Sequence, residues 1–295
     1  MERSQERMID GWICGALGVM IFSGSMPATR LALAGFDPLF LTTARAALAG
    51  VMAFALLCLR RQPWPARRDF ISLLIVAAGV VIGFPLLSAM ALRSINAVQS
   101  QIFIALLPLM TALFGVIRAG ERPGGWFWLF AGLGSFCVIA LVARQGASMP
   151  GTGMGLMLLA IFVCGLGYAE GAKLARRLGS WQVISWALSL ALPFTLVLGW
   201  LHRPAGFALV GMEAWLGLGY VSFFSMFIGF IFWYRGLALG GITSVGQLQL
   251  LQPGLGLLAS AMVLNEKVPP AMVFAIAGVI ACVAGARRFS YTRRR

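Results

Sequence analysis

Long stretches without a charged residue alternate along this chain with short basic clusters. Uncharged runs cover 11–29, 70–92, 94–117, 123–143, 145–169, 178–201, 214–234, 236–265 and 268–286. A tenth run, from Pro38 to Leu59, carries one charge, Arg45. About 20 mostly apolar residues in helical form cross the hydrocarbon of a bilayer, where no water satisfies exposed backbone groups. The pattern predicts an all-α integral membrane protein with ten transmembrane helices and short joining loops. In the second of these helices Arg45 has to reach an interface, a cavity or a polar partner.

Composition agrees with that reading. Of 295 residues, 60% are hydrophobic and 11% charged, whereas a soluble domain carries about 25% charged residues. The formal charge of +14 is split into clusters with no continuous basic face, so the partner it implies is a lipid bilayer and not nucleic acid. With the N-terminus inside, the cytoplasmic face collects 17 Lys and Arg and the opposite face 6. Both termini are therefore expected in the cytoplasm. The basic start has the look of a signal peptide, but no small-residue cleavage site follows, and Gly11–Thr29 is long enough to span. It reads as a retained first helix. Five cysteines all fall inside apolar runs without metal-type spacing. They read as small packing residues, and no metal or cofactor is expected.

The chain also resembles itself. Pro108 is followed thirteen residues later by Glu121 and then by Cys137-Val138. Pro253 is followed at the same spacing by Glu266 and then by Cys282-Val283, all at one offset of 145. Ile82-Gly83-Phe84 recurs as Ile228-Gly229-Phe230 at 146, and Ala91-Leu92 as Ala238-Leu239 at 147. Two units follow, 1–147 and 148–295, with five helices each. Because five is odd, the second unit must enter the bilayer inverted. Inverted repeats are a recurring plan of secondary transporters, with the substrate near midplane at the repeat interface.

On these residues the chain resembles the drug/metabolite transporter superfamily, in particular its EamA-type members, which carry a proline in the fourth helix of each unit and a glutamate at its end. Pro108/Glu121 and Pro253/Glu266 match that pattern. Within the superfamily the chain is most similar to the bacterial aromatic amino-acid exporters of the YddG type. The resemblance implies a bacterial inner-membrane location, export by alternating access, and a central cavity lined by helices 1, 3 and 4 and by helices 6, 8 and 9. It also implies a monomer, with a proton as one option for the coupling ion.

Polar residues inside the runs are the site candidates. Glu121 and Glu266 lie at helix ends beside Arg122 and Lys267; they read as interfacial anchors or salt bridges, or as a matched pair of gates. Glu170 has Lys173 three residues on, on the same helical face, which favours a local ion pair over proton coupling. Arg45 sits about 10 Å into its helix at 1.5 Å per residue. Snorkelling, or pairing with Asp37, is favoured there over contact with a substrate carboxylate. Gln99 and Gln101 open the fourth helix, and Gln247, Gln249 and Gln252 lie in the ninth. Amides are costly against lipid, so these bond between helices or line the cavity. Phe103, Phe84, Tyr168, Phe230, Trp233 and Tyr234 are the aromatic candidates for its wall; Ser23, Ser25 and Ser88 are small polar positions. Pro27, Pro85, Pro108, Pro193 and Pro253 can kink their spans, which suits either gating or packing.

What is missing narrows the substrate. The first helix reads Ile21-Phe22-Ser23-Gly24-Ser25-Met26-Pro27, with no acid for a permanent cation. Deep Lys or Arg for a phosphate is confined to Arg45 and the peripheral Lys173. Neutral or zwitterionic amphipaths remain, and large apolar amino acids fit them best; drugs or other metabolites are the alternative cargo. A membrane-embedded enzyme is the rival class. The single histidine, His202, lies in a loop, and the sequence offers no Ser–His–acid set, paired intramembrane aspartates or metal cluster.

Overall fold

The computed structural model describes residues 2–95, 97–143 and 151–264, with positions 278, 281, 282, 284–286 and 288. Regular structure among them is helical throughout. Helices α1 (Glu2–Ser23) and α2 (Ser25–Ala32) run on through Gly24, and α3 covers Pro38–Leu59. Next come α4 (Phe70–Val76) and α5 (Phe84–Ala91), joined by a π-helical segment, Ala77–Gly83. Four helices follow: α6 (Ala97–Ile104), α7 (Leu107–Ala119), α8 (Gly125–Ala143) and α9 (Gly151–Leu178). After α10 (Ser180–Leu201), helices α11 (Met212–Gly219) and α12 (Phe230–Gly240) flank a second π-helical segment, Tyr220–Gly229. The described part closes with α13 (Ile242–Gly246), a 3-10 turn at Gln247–Leu251 and α14 (Gln252–Leu264).

Six continuous stretches among the described residues are long and apolar enough to cross a membrane: Glu6–Ala32, Pro38–Leu59, Arg67–Ala91, Gly151–Leu178, Ser180–Leu201 and Met212–Gly240. The second matches its expected run residue for residue. Pro38 supplies a first-turn position where a missing N–H costs nothing, and the Asp37 side chain accepts from the Leu39 amide at 2.8 Å.

Three runs depart from expectation. The run 94–117 is not one helix: the chain turns at Ala105 and Leu106 before α7 begins. Pro108, second in α7, cannot donate to the preceding turn and its ring excludes a straight continuation. The Ala105 carbonyl at the break takes the Ser135 hydroxyl of α8 at 2.7 Å. The run that ended before Glu170 continues to Leu178, because Glu170 is paired inside the protein and does not meet lipid. Likewise Arg235 does not end its span. That helix continues to Gly240, and the reversal falls at Gly241, whose φ of 90° suits glycine alone. The expected run 268–286 lies mostly outside the described residues.

The most extensive helix contacts all join residues before 147 to residues after it: α3 with α10, α1 with α12, α7 and α5 with α9, and α2 with α11. Between α1 and α12 the approach is backbone to backbone. Gly11 and Gly15 on one helix face Gly236 and Gly240 on the other, and a Cβ built on Gly236 would stand 2.6 Å from the Gly15 amide nitrogen. Small residues four apart are the usual means by which membrane helices come this close. The outer surface is the reverse of a soluble protein's. Leu59, Ile71, Phe136, Phe194, Leu216 and Met262 are all largely exposed, a burden in water but the expected face toward lipid. Nothing else accounts for so much bare apolar surface. The chain is a multi-pass membrane protein.

Candidate functional site

The irregular segments converge on one pocket. Both π-helical segments end at a glycine, Gly83 and Gly229, and the next residues, Phe84 and Phe230, line the pocket wall. A π-turn holds an extra residue and leaves its backbone looser than an α-helix, and it is found often at functional sites. Two helices start at the pocket, α7 with Leu107 and α14 with Gln252, each followed by a proline, Pro108 and Pro253. Phe22 of α1 and Tyr168 of α9 face each other across it, with ring centroids 6.4 Å apart and planes within 14°. Each of these three pairs stands 145 or 146 positions apart in the chain. With eight further residues they line a narrow cleft of about 20 Å³, room for about one water molecule.

One side of the pocket is polar. Ser25 and Ser225 share a hydrogen bond of 2.8 Å. Arg45 extends a guanidinium nitrogen to the Ser225 hydroxyl at 3.5 Å, and its Nε has no partner. Only 6% of Arg45 is exposed, and among the described residues no Asp or Glu lines the pocket. This overturns the expectation that Arg45 snorkels or pairs with Asp37. Asp37 caps α3 and pairs with Arg93 at 3.7 Å, so Arg45 is left turned inward. Thr29, Ser88 and Gln252, whose Oε1 lacks a donor, also line the pocket.

Of the residues singled out in the sequence, Ser25, Phe84, Ser88, Tyr168 and Gln252 come together here. Trp233 and Tyr234 stand behind the wall, fully buried. The Trp233 ring lies 5.5 Å from Tyr168, and the Tyr234 hydroxyl donates to the Gly167 carbonyl at 3.2 Å. Gln249 is also behind it, close to the Tyr168 hydroxyl but with both amide atoms lacking a well-aligned bond. Phe103 is core, away from the pocket, and Ser23 bonds back to the Val19 carbonyl at 2.7 Å. Gln99 and Gln101 lie on α6 with side chains outside the described residues, as is the whole of Glu266. Sequence reasoning missed Ser225, Thr29 and the inward course of Arg45. A signal for the last was present: no acid lies within a helical turn of Arg45 to neutralise it.

The acidic candidates gather elsewhere, at the ends of α7 and α9. Glu170 is buried and takes the Ser72 hydroxyl at 2.6 Å, Arg118 Nε at 2.7 Å and Lys173 at 3.6 Å. The expected Lys173 pair is present, but Arg118 of another helix is the closer partner. Glu121 pairs with Arg176 at 2.6 Å and accepts the backbone amides of Ile242 and Thr243. Asp69 pairs with Arg177. Three carboxylates thus tie α9 and α13 to the elements before residue 147.

The pattern of the EamA-like transporter family matches this chain twice, over residues 10–143 and 151–287. A Bacillus subtilis protein called uncharacterized transporter YdeK is 59% identical over 281 residues, 95% of this chain and 98% of its own length. An uncharacterized transporter of Archaeoglobus fulgidus is 25% identical over 278 residues, covering 90% of this chain and 92% of that one. A solved structure titled only as a crystal structure of protein superposes with a TM-score of 0.74 at 17% identity, covering 95% of this chain and 98% of that one. That likeness speaks to the fold alone.

Proposed function

We propose, from the premise that this chain belongs to the EamA-like transporter family, that it exports amino acids with aromatic or large apolar side chains across the bacterial inner membrane. The observation that carries the reading is the pocket: its lining combines polar side chains with aromatic rings and draws matched residues from both halves, Phe22 with Tyr168, Phe84 with Phe230 and Leu107 with Gln252. Amphipathic ligands are bound in such sites by apolar walls and a few convergent polar groups.

Ten spans in two inverted units, 1–147 and 148–295, give this pocket its mechanism. The double match to the family and the recurrence of a π-segment before each Phe support that organisation. In that arrangement both termini are cytoplasmic, and Glu121, Glu170 and Asp69 with their cations form the cytoplasmic closure. Opening there and closing at the far end would hand the pocket from one side to the other, as alternating access requires. Helix 2 joins helices 1, 3, 4, 6, 8 and 9 around the pocket through Arg45. One chain is enough to build it, so the working unit is a monomer.

Uptake of labelled phenylalanine, tryptophan, leucine and glycine into proteoliposomes, with and without a proton gradient, tests the reading. Phenylalanine or tryptophan is expected to enter several-fold faster than into empty vesicles. Equal rates in loaded and empty vesicles would remove the substrate assignment.

A further inference from the structure

Among the described residues Arg45 is a buried cation without an anion. Its guanidinium faces a pocket whose described lining carries no carboxylate, its Nε is unpartnered there, and the side-chain hydrogen bond it makes is to a neutral hydroxyl at 3.5 Å. Isolating a charge from water costs several kcal/mol unless another charge and hydrogen bonds compensate it. The surrounding polar groups sharpen the point. Ser25 and Ser225 bond to each other and can each turn a hydroxyl toward a newcomer. Helices α7 and α14 both begin at residues that line the pocket, Leu107 and Gln252, so the backbone turns there from both halves of the chain. The lining also carries Phe22, Phe84 and Phe230, which offer little to a carboxylate and much to a hydrocarbon.

From this we infer that the pocket recognises its substrate by a carboxylate held by Arg45, Ser225 and Ser25, with the apolar body against the phenylalanines and no requirement for an amino group. The inference rests on the transport reading for the pocket's being a substrate site, and it widens the substrate class from amino acids to organic monocarboxylates with an apolar body. A guanidinium and a carboxylate form two parallel hydrogen bonds, a geometry that an ammonium cannot copy. Lys in place of Arg45 should keep the charge and lose the fork.

Three probes of matched size separate the terms: 3-phenylpropionate (carboxylate only), phenylalanine (both groups) and phenethylamine (amine only). Binding is read in chloride-free detergent solution as thermal stabilisation, and flux in proteoliposomes, for the wild type and for Arg45→Gln, Arg45→Lys and Ser225→Ala. The two carboxylates are expected to bind and the amine not to. Arg45→Gln should weaken both carboxylates at least tenfold, with Arg45→Lys and Ser225→Ala between it and the wild type. Carboxylate binding without flux would sink the export reading and leave this one standing. Phenethylamine binding as well as phenylalanine, unchanged affinity in a folded Arg45→Gln protein, or stabilisation by chloride alone with none by the carboxylates would each overturn it. Should Arg45→Gln fail to fold, Arg45→Lys and Ser225→Ala still decide: affinities equal to wild type in both would refute it.

Discussion

Glu121 holds Thr243 across the boundary between the two halves of the chain: its carboxylate accepts the Thr243 amide at 2.7 Å, beside that of Ile242 at 2.9 Å. The first amides of a helix have no partner within it, so α13 gains from a side chain outside its own half what a capping residue would supply. Arg176, at 2.6 Å, holds the same carboxylate from α9. Glu121→Gln keeps one acceptor oxygen and loses the charge. Hydrogen bonds to charged groups contribute about 1.5–3 kcal/mol each, so a loss of about 1–3 kcal/mol is expected, visible as a lower melting temperature in detergent. If Glu121 is a cytoplasmic latch, a Thr243→Cys reporter in a cysteine-depleted background should alkylate several-fold faster when Glu121→Gln is added. Identical alkylation rates would count against a latch.

Glu170 is the brace of the same region, with two cations and a hydroxyl around a carboxylate that solvent does not reach. Glu170→Gln leaves Arg118 without its partner. Breaking a fully buried pair costs about 3–5 kcal/mol; Arg118 and Lys173 are part-exposed, which brings the expected loss down to roughly 2 kcal/mol. Because the carboxylate is fully engaged in these contacts, the pH dependence of flux in the variant should match the wild type. A lost or displaced pH dependence would make Glu170 a coupling residue.

At the glycine contact between α1 and α12, Gly236→Ala places a methyl carbon 2.6 Å from the Gly15 amide nitrogen and 2.9 Å from the Gly11 carbonyl. Both neighbours are backbone and cannot rotate aside. Forced overpacking costs about 1–3 kcal/mol, so the melting temperature should fall. Gly132→Ala, at a site with no described atom within 4 Å, is the matched control and should leave it unchanged.

Phe84 and Phe230 stand at corresponding places after the two π-segments and both line the pocket. If each contributes an apolar wall, Phe84→Ala and Phe230→Ala should raise the KM for phenylalanine by about tenfold each, equivalent to about 1.4 kcal/mol. The KM of a small substrate such as alanine should move far less. A change confined to one of the two positions would show that the pocket is used from one half only.

Much of this architecture was legible as a pattern of charge. The span Pro38–Leu59 stands as read because proline and aspartate mark its start and Arg60 and Arg61 its end. The same rule misplaced two boundaries, since it treats every charge as an exit from lipid. Glu170 and Arg235 lie inside their helices, and pairing within the protein is not visible along one dimension. The pocket was half legible for a related reason. Aromatic and small polar residues near the recurring Ile-Gly-Phe and proline positions lead to Phe84, Ser88, Tyr168 and Gln252. Trp233 and Tyr234 share that neighbourhood but belong to the layer behind, a distinction of one helical turn that sequence spacing does not resolve. Arg45 was misread because Asp37, more than two turns away along its helix, was counted as a partner; Asp37 caps that helix and pairs with Arg93.

The bare backbone contact of Gly11 and Gly15 with Gly236 and Gly240 limits how the protein can move. At that end no side chain lies between the two backbones and they cannot close further without collision, while farther along α1 the Phe22 ring packs on Phe230 and Trp233. Rolling about the line of contact is the freedom that survives. Were the pocket walls to rock, this contact would be the axle on which they turn.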